Sequence, residues 1–166
     1  MIPEYIREQA RYELARRNFW DYCKITSPED YNDDREFLNN MCNSLQDFVK
    51  SDDRVLVINL PPRHYKTRTI SKFVQWLLGN DSNYRIMTGS YNERLSVSMA
   101  KSVRDTIQEK DGIYSKIFPN TKIKYGEASM NKWALENSPV PNYLATSPKG
   151  TATGFGCNIM IIDDVI

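Results

Sequence analysis

Two short motifs in this 166-residue chain place side chains that could do phosphate chemistry. The first is LPPRHYKT, residues 60–67, which stands between an aliphatic run and a helical pattern. Phosphates need backbone N–H groups and a helix N-terminus aimed at them, a lysine to reach the β and γ positions, and a hydroxyl to ligate magnesium. Lys66 and Thr67 are the residues that would supply the last two. The usual pattern GxxxxGK[ST] has glycines where this chain has Leu60 and Tyr65. Tyr65 must therefore take a backbone conformation that glycine adopts freely, or the loop has another shape. Against this stands the plainer reading of Lys-Thr as an ordinary helix start.

The second motif is IMIIDD, residues 159–164. Its aliphatic residues read as a strand inside a sheet, and its two carboxylates emerge at the carboxyl end, where open α/β sheets bind ligands. One aspartate can hold hydrated magnesium while its neighbour polarises a water. A buried strand followed by an acidic turn is the alternative. Strand patterns lie between the two motifs, the order expected if both strands sit centrally in one sheet, and the pair together implies ATP with Mg2+.

The elements that must position these residues follow from periodicity. Apolar residues at helical spacing over 3–24 and again from Phe37 to Val49 predict two amphipathic helices, the second capped by Asp33 or Asp34. VLVINL, residues 55–60, is a continuous aliphatic run of the kind found in strands buried on both faces of a parallel sheet. A helix with Ile70, Phe73, Val74, Leu77 and Leu78 on one side follows, with Gly79 as its C-terminal cap. YRIMTGSY is a strand, Asn92 to Lys110 a helix, and residues 113–118 a short helix; KIKY, KWALE and YLATS are short strands. Alternation of strand and helix predicts an α/β sheet with right-handed crossovers. Residues 1–50 form an N-terminal helical segment packing on a core over 51–166, incomplete at its C-terminus.

Composition narrows the function classes. Twenty-two basic and 21 acidic residues leave a net charge of +1, so the chain as a whole is no electrostatic nucleic-acid binder. The single histidine, His64, excludes sites that need two imidazoles, and the three spaced cysteines are expected to be buried thiols. No apolar run is long enough to span a bilayer and the N-terminus lacks a secretory signal, so an intracellular protein without membrane partners is expected.

INLPPRHYKT, SYNERLSVSMAKSVRD, YSKIFPNT and TATGFGCNIMIIDDVI, in that order, resemble the ATPase half of the large terminase subunit of tailed bacteriophages. The likeness covers roughly residues 35–166. It implies a three-layer P-loop NTPase fold of the ASCE type, with a mostly parallel central sheet. It also implies a motor that hydrolyses ATP to pump double-stranded DNA into a procapsid, with a portal protein, a small terminase subunit and a homo-oligomeric ring as partners, in the host cytoplasm. By the resemblance, Lys66 and Thr67 match the lysine and hydroxyl of the Walker A motif, Asp163 the magnesium-binding Walker B acid, and Asp164 the catalytic carboxylate. Pro62, Arg63, His64 and Tyr65 complete the nucleotide loop. The chain departs from the family at Tyr65, where glycine is common, and at Phe155, where relatives often carry a basic residue. The family's later coupling motif and its nuclease domain are missing, so a truncated form is expected. Two rivals are a non-catalytic module that binds nucleotide or DNA through a degenerate loop, and a helicase-like translocase.

Arg63, three residues before Lys66, could reach the γ-phosphate as a sensor, with Arg63, Lys66 and Asp164 as the catalytic set. His64 fits a loop-shaping hydrogen-bond donor better than a base. Arg94 and Arg104 are candidates for an arginine finger or for plain helix-surface charges, and Lys116, Lys122 and Lys124 beside Tyr125 could touch phosphodiesters.

Overall fold

The computed structural model describes residues 2–147 and 154–163. The chain divides into two compact units, Met1–Trp76 and Leu77–Ile166. Among the described residues no helix is long and apolar enough to cross a membrane.

In the first unit the expected single helix over 3–24 is two: α1 (Glu4–Arg17) and α2 (Phe19–Thr26). Asn18 breaks the run with extended backbone (φ −127°, ψ 121°) and caps α2 by accepting the Asp21 N–H at 3.0 Å, a role asparagine fills well. α3 (Glu36–Phe48) begins after Arg35 without a side-chain cap, so neither Asp33 nor Asp34 does that work. The unit's core joins Phe19, Tyr22 and Cys23 of α2 and Leu38 and Cys42 of α3 to Phe73 and Val74 of α4 (Lys66–Asn80), all buried. Phe19 meets Phe73 edge-on at 5.1 Å between ring centroids, a favoured aromatic geometry. The Trp76 indole donates to the Ala15 carbonyl at 2.9 Å and the Tyr22 hydroxyl to Gln75 at 2.8 Å, so polar tips entering this core find partners.

Lys72 is the unusual member of that core. It is only 8% exposed, its ammonium donates to the Thr26 hydroxyl at 2.8 Å, and it stands 5.6 Å from the Tyr31 ring and 5.9 Å from the Tyr22 ring. Burial pulls its pKa below 10.5, with Cys23 opposing the shift. Between that lowered value and 10.5 the unfolded chain binds more protons than the folded one, so Lys72 costs the fold progressively less as pH rises through the window. In urea unfolding, the stability of the parent relative to Lys72→Met should therefore climb as pH is raised towards 10.5. A flat or falling difference would contradict the buried-charge account.

The second unit is built on a mixed sheet of five strands, β1 (Ile86–Gly89), β2 (Ile123–Ala128), β3 (Lys132–Leu135), β4 (Tyr143–Thr146) and β5 (Ile159–Ile162), in the order β2-β3-β4-β1-β5. β1 pairs in parallel with β4 and β5, whereas β2–β3 and β3–β4 are antiparallel. α5 (Glu93–Gln108) packs on β1 and β4 through a buried stripe of Ser96, Met99, Ala100, Val103 and Ile107, and α6 (Ile113–Ile117) follows. Gly79 lies inside α4 instead of capping it. A Cβ there would stand 2.5 Å from the Phe118 ring, so its role is to admit that ring and not to end the helix.

This architecture corrects the expected three-layer P-loop NTPase fold with a mostly parallel sheet. Residues 55–60 form no strand. The segment alternates exposed and half-buried residues, with Val55 76% and Val57 83% exposed, and it joins no ladder. An aliphatic run becomes a strand only where a neighbour takes up its N–H and C=O groups. β5 also differs from expectation, because it is an edge strand among the described residues and leaves Met160 and Ile162 exposed.

Candidate functional site

Residues 61–65 leave the extended segment, turn, and deliver the chain to Lys66, the first residue of α4. Two non-glycine residues in this turn are left-handed, Arg63 at φ 65° and Tyr65 at φ 60°. Such a conformation costs an L-residue with a Cβ roughly 1–2 kcal/mol, and it persists only where the surroundings hold it. Left-handed residues placed among right-handed ones turn successive N–H groups towards one side and make a concavity suited to anions. Tyr65 thus takes the glycine-like conformation that its place in the motif demands. The Tyr65 carbonyl already accepts the Thr69 N–H at 2.8 Å, so the helix starts directly from the turn and its first N–H groups face away from the helix body.

Side chains brace the turn. His64 donates through Nδ1–H to the Pro62 carbonyl at 2.9 Å, and its ring meets Phe37 edge-on at 5.7 Å. The Tyr65 hydroxyl donates to Asp30 Oδ1 at 2.9 Å, and Arg68 pairs with Asp30 Oδ2 at 2.5 Å. Pro62, Arg63, His64 and Thr67 are exposed, while Tyr65 and Lys66 are half-buried. The turn thus leads directly into the positive end of the α4 dipole, with Lys66 as the first helical residue.

In the second unit, β5 runs in register with β1, Ile86 opposite Ile159 through Gly89 opposite Ile162, and the Asp163 N–H donates to the Gly89 carbonyl at 2.9 Å. Asp163 is thereby fixed, half-buried, at the carboxyl end of a parallel strand. Asp164 lies outside the described residues. Thr67 in the first unit carries a hydroxyl and Asp163 in the second a carboxylate, each by itself a hard oxygen donor of the kind Mg2+ takes. Among the described residues no cluster of three or more His, Cys, Asp or Glu side chains is placed to hold a metal by itself.

Ser90 was not singled out by sequence. Its hydroxyl is buried just past the end of β1 and finds no hydrogen-bond partner among the described residues. A buried hydroxyl without a partner is uncommon enough to mark this strand end, and no residue pattern could have revealed it. Arg104 is held by contacts within its own unit. Its guanidinium pairs with Asp105 at 2.9 Å and donates to the Ala128 and Ser129 carbonyls at 3.2 and 3.1 Å, which ties α5 to the end of β2. Arg94 sits exposed in the first turn of α5. Lys116 and Lys122 are exposed, Lys124 is half-buried, and Tyr125 is fully exposed on edge strand β2. Arg85 faces the Phe155 ring at 5.0 Å, which occupies the residue that departs from the terminase pattern. No family model, curated protein or solved structure was found to match this chain.

Proposed function

We propose that the chain is the ATP-hydrolysing motor region of a viral DNA-packaging terminase, which spends ATP hydrolysis on moving double-stranded DNA into a procapsid. One observation carries the reading: Tyr65, in a loop of phosphate-binding type, holds the left-handed backbone normally left to glycine (φ 60°), immediately before the lysine that opens α4. The proposal assigns Pro62, Arg63, His64, Tyr65, Lys66 and Thr67 to the phosphates, with Arg63 as the γ-phosphate sensor. It assigns Thr67 and Asp163 to Mg2+ and Asp164 to orienting the attacking water. Bound magnesium would neutralise charge developing on the phosphate oxygens, and the protein's part is positioning. Double-stranded DNA, a portal protein, a small terminase subunit and copies of the same chain in a ring are the proposed partners, in the cytoplasm of a host cell.

A second reading is favoured by the extended segment before the loop. Because residues 55–60 form no strand among the described residues, the loop follows an extended stretch and not a strand, which suits a module that binds nucleotide without turning it over. Calorimetric titration of ATP with and without Mg2+, paired with steady-state phosphate release, separates the two. The motor reading expects magnesium to strengthen ATP binding on the order of tenfold, the scale of one charge-assisted contact. Asp163→Asn should abolish that enhancement while leaving metal-free binding unchanged. Binding without phosphate release would select the non-catalytic module, and absence of binding would dismiss both.

A further inference from the structure

The cost of left-handed Tyr65 must be met by its surroundings, and the structure shows by what. The phenol donates to Asp30 Oδ1 at 2.9 Å, and the other Asp30 oxygen is gripped by Arg68 at 2.5 Å, leaving the carboxylate side chain 14% exposed. The Arg35 guanidinium lies over the Tyr65 ring at 4.9 Å, Arg68 stands 5.8 Å from it, and Tyr31 meets it edge-on at 6.3 Å. Tyr31 is itself pinned, its hydroxyl sharing a hydrogen bond of 2.9 Å with Thr69 of α4. Both ends of the ring are therefore fixed, by the turn after α2 and by the first turns of α4.

We propose that Asp30 is the positioning residue of the phosphate loop. It holds Tyr65 left-handed through its phenol, so that a side-chain tether does here what a missing Cβ does in glycine loops. The inference rests on the reading of residues 61–67 as a phosphate loop, and Asp30 itself touches no phosphate. A tether differs from glycine in one respect that matters for binding. Glycine visits positive and negative φ about equally and must be ordered when the anion arrives, whereas a clamped tyrosine presents the concavity already formed. Arg68 has a defined part, since its ion pair with Oδ2 occupies that oxygen and leaves Oδ1 to accept from the phenol.

The test is a double-mutant cycle read two ways: Mg-ATP affinity by calorimetry, and the rate of tryptic cleavage after Arg63 in native buffer without nucleotide. Tyr65→Phe and Asp30→Ala should each weaken Mg-ATP binding by about tenfold and speed cleavage by a similar factor, the scale of a hydrogen bond to a charged group. The double variant should be no worse than either single one. Asp30→Asn keeps an oxygen for the phenol and should recover most of the parent behaviour. In a Tyr65→Gly background, which needs no tether, Asp30→Ala should change affinity by less than about twofold. A merely structural Asp30 would show additive losses and the same penalty beside Gly as beside Tyr, and either result overturns the proposal. Should Asp30→Ala fail to fold, Tyr65→Phe and Asp30→Asn still separate the outcomes: equal behaviour of Tyr65→Phe and parent in both readouts overturns it. Coupled cleavage with no ATP binding by the parent would retire the phosphate reading and keep the tether. ATP binding that is lost in Lys66→Ala but indifferent to Asp30 would do the reverse.

Discussion

Replacing Lys66 with alanine should weaken ATP binding by about 2–3 kcal/mol, roughly 30- to 150-fold, the range for losing a hydrogen bond to a charged partner. The expectation follows from where the residue stands. Lys66 is the first residue of α4, directly after left-handed Tyr65, and it is half-buried, so it opens the helix at the positive end of its dipole. The backbone part of the proposed phosphate loop would survive the substitution, which is why the loss is bounded. Alanine is the best helix former, so the helix start itself should persist and the melting temperature should hardly move. Lys66→Arg should fall between the two, since its planar fork keeps the charge but not the compact ammonium. Unchanged ATP affinity in Lys66→Ala, with an unchanged melting temperature, would show that LPPRHYKT is not the phosphate loop.

How much of this was legible in the sequence depends on whether a local pattern carried its own partner. KIKY, KWALE and YLATS became strands as expected, because apolar alternation bounded by turn residues also predicts the neighbours that complete a sheet. Left-handed Tyr65 was one of two outcomes the sequence left open, a differently shaped loop being the other, because the pattern it resembles has glycine at that position. VLVINL misled because an aliphatic run reports only the wish to be buried, and a strand needs a ladder that no local pattern can promise. The Asp30 tether was hidden for another reason: it joins residues 35 positions apart, in a segment that reads as mere punctuation, TSPED. Single-residue polar hubs such as Asn142 escape in the same way, because one asparagine before a strand is indistinguishable from any turn residue.

Asn142 should nevertheless be a costly polar residue to truncate in the second unit. It is fully buried where β4 begins, at the place where the sheet changes from antiparallel pairing with β3 to parallel pairing with β1. Neither ladder can satisfy every backbone group at that junction, and the side chain fills in for both. Its Oδ1 accepts the Leu135 N–H of β3 at 2.8 Å, and its Nδ2 donates to the Ser82 and Tyr84 carbonyls, on the way into β1, at 2.7 and 2.9 Å. Asn142→Ala removes three hydrogen bonds and strands a buried N–H, an expected loss of about 3 kcal/mol. For a protein of this size that corresponds to a melting temperature lower by roughly 6–12 °C. Asn142→Asp should be worse than alanine at neutral pH although it is nearly isosteric. It keeps the acceptor for Leu135 but turns a second oxygen, with negative charge, onto two carbonyls. Burial and those carbonyls should raise the new carboxyl's pKa above its unfolded value, so the aspartate variant should regain stability relative to alanine as the pH falls through that raised value. Thermal unfolding by near-UV circular dichroism across pH reads both effects. An alanine variant within about 0.5 kcal/mol of the parent, the range of ordinary surface changes, would show that the junction is held by the strand ladders alone.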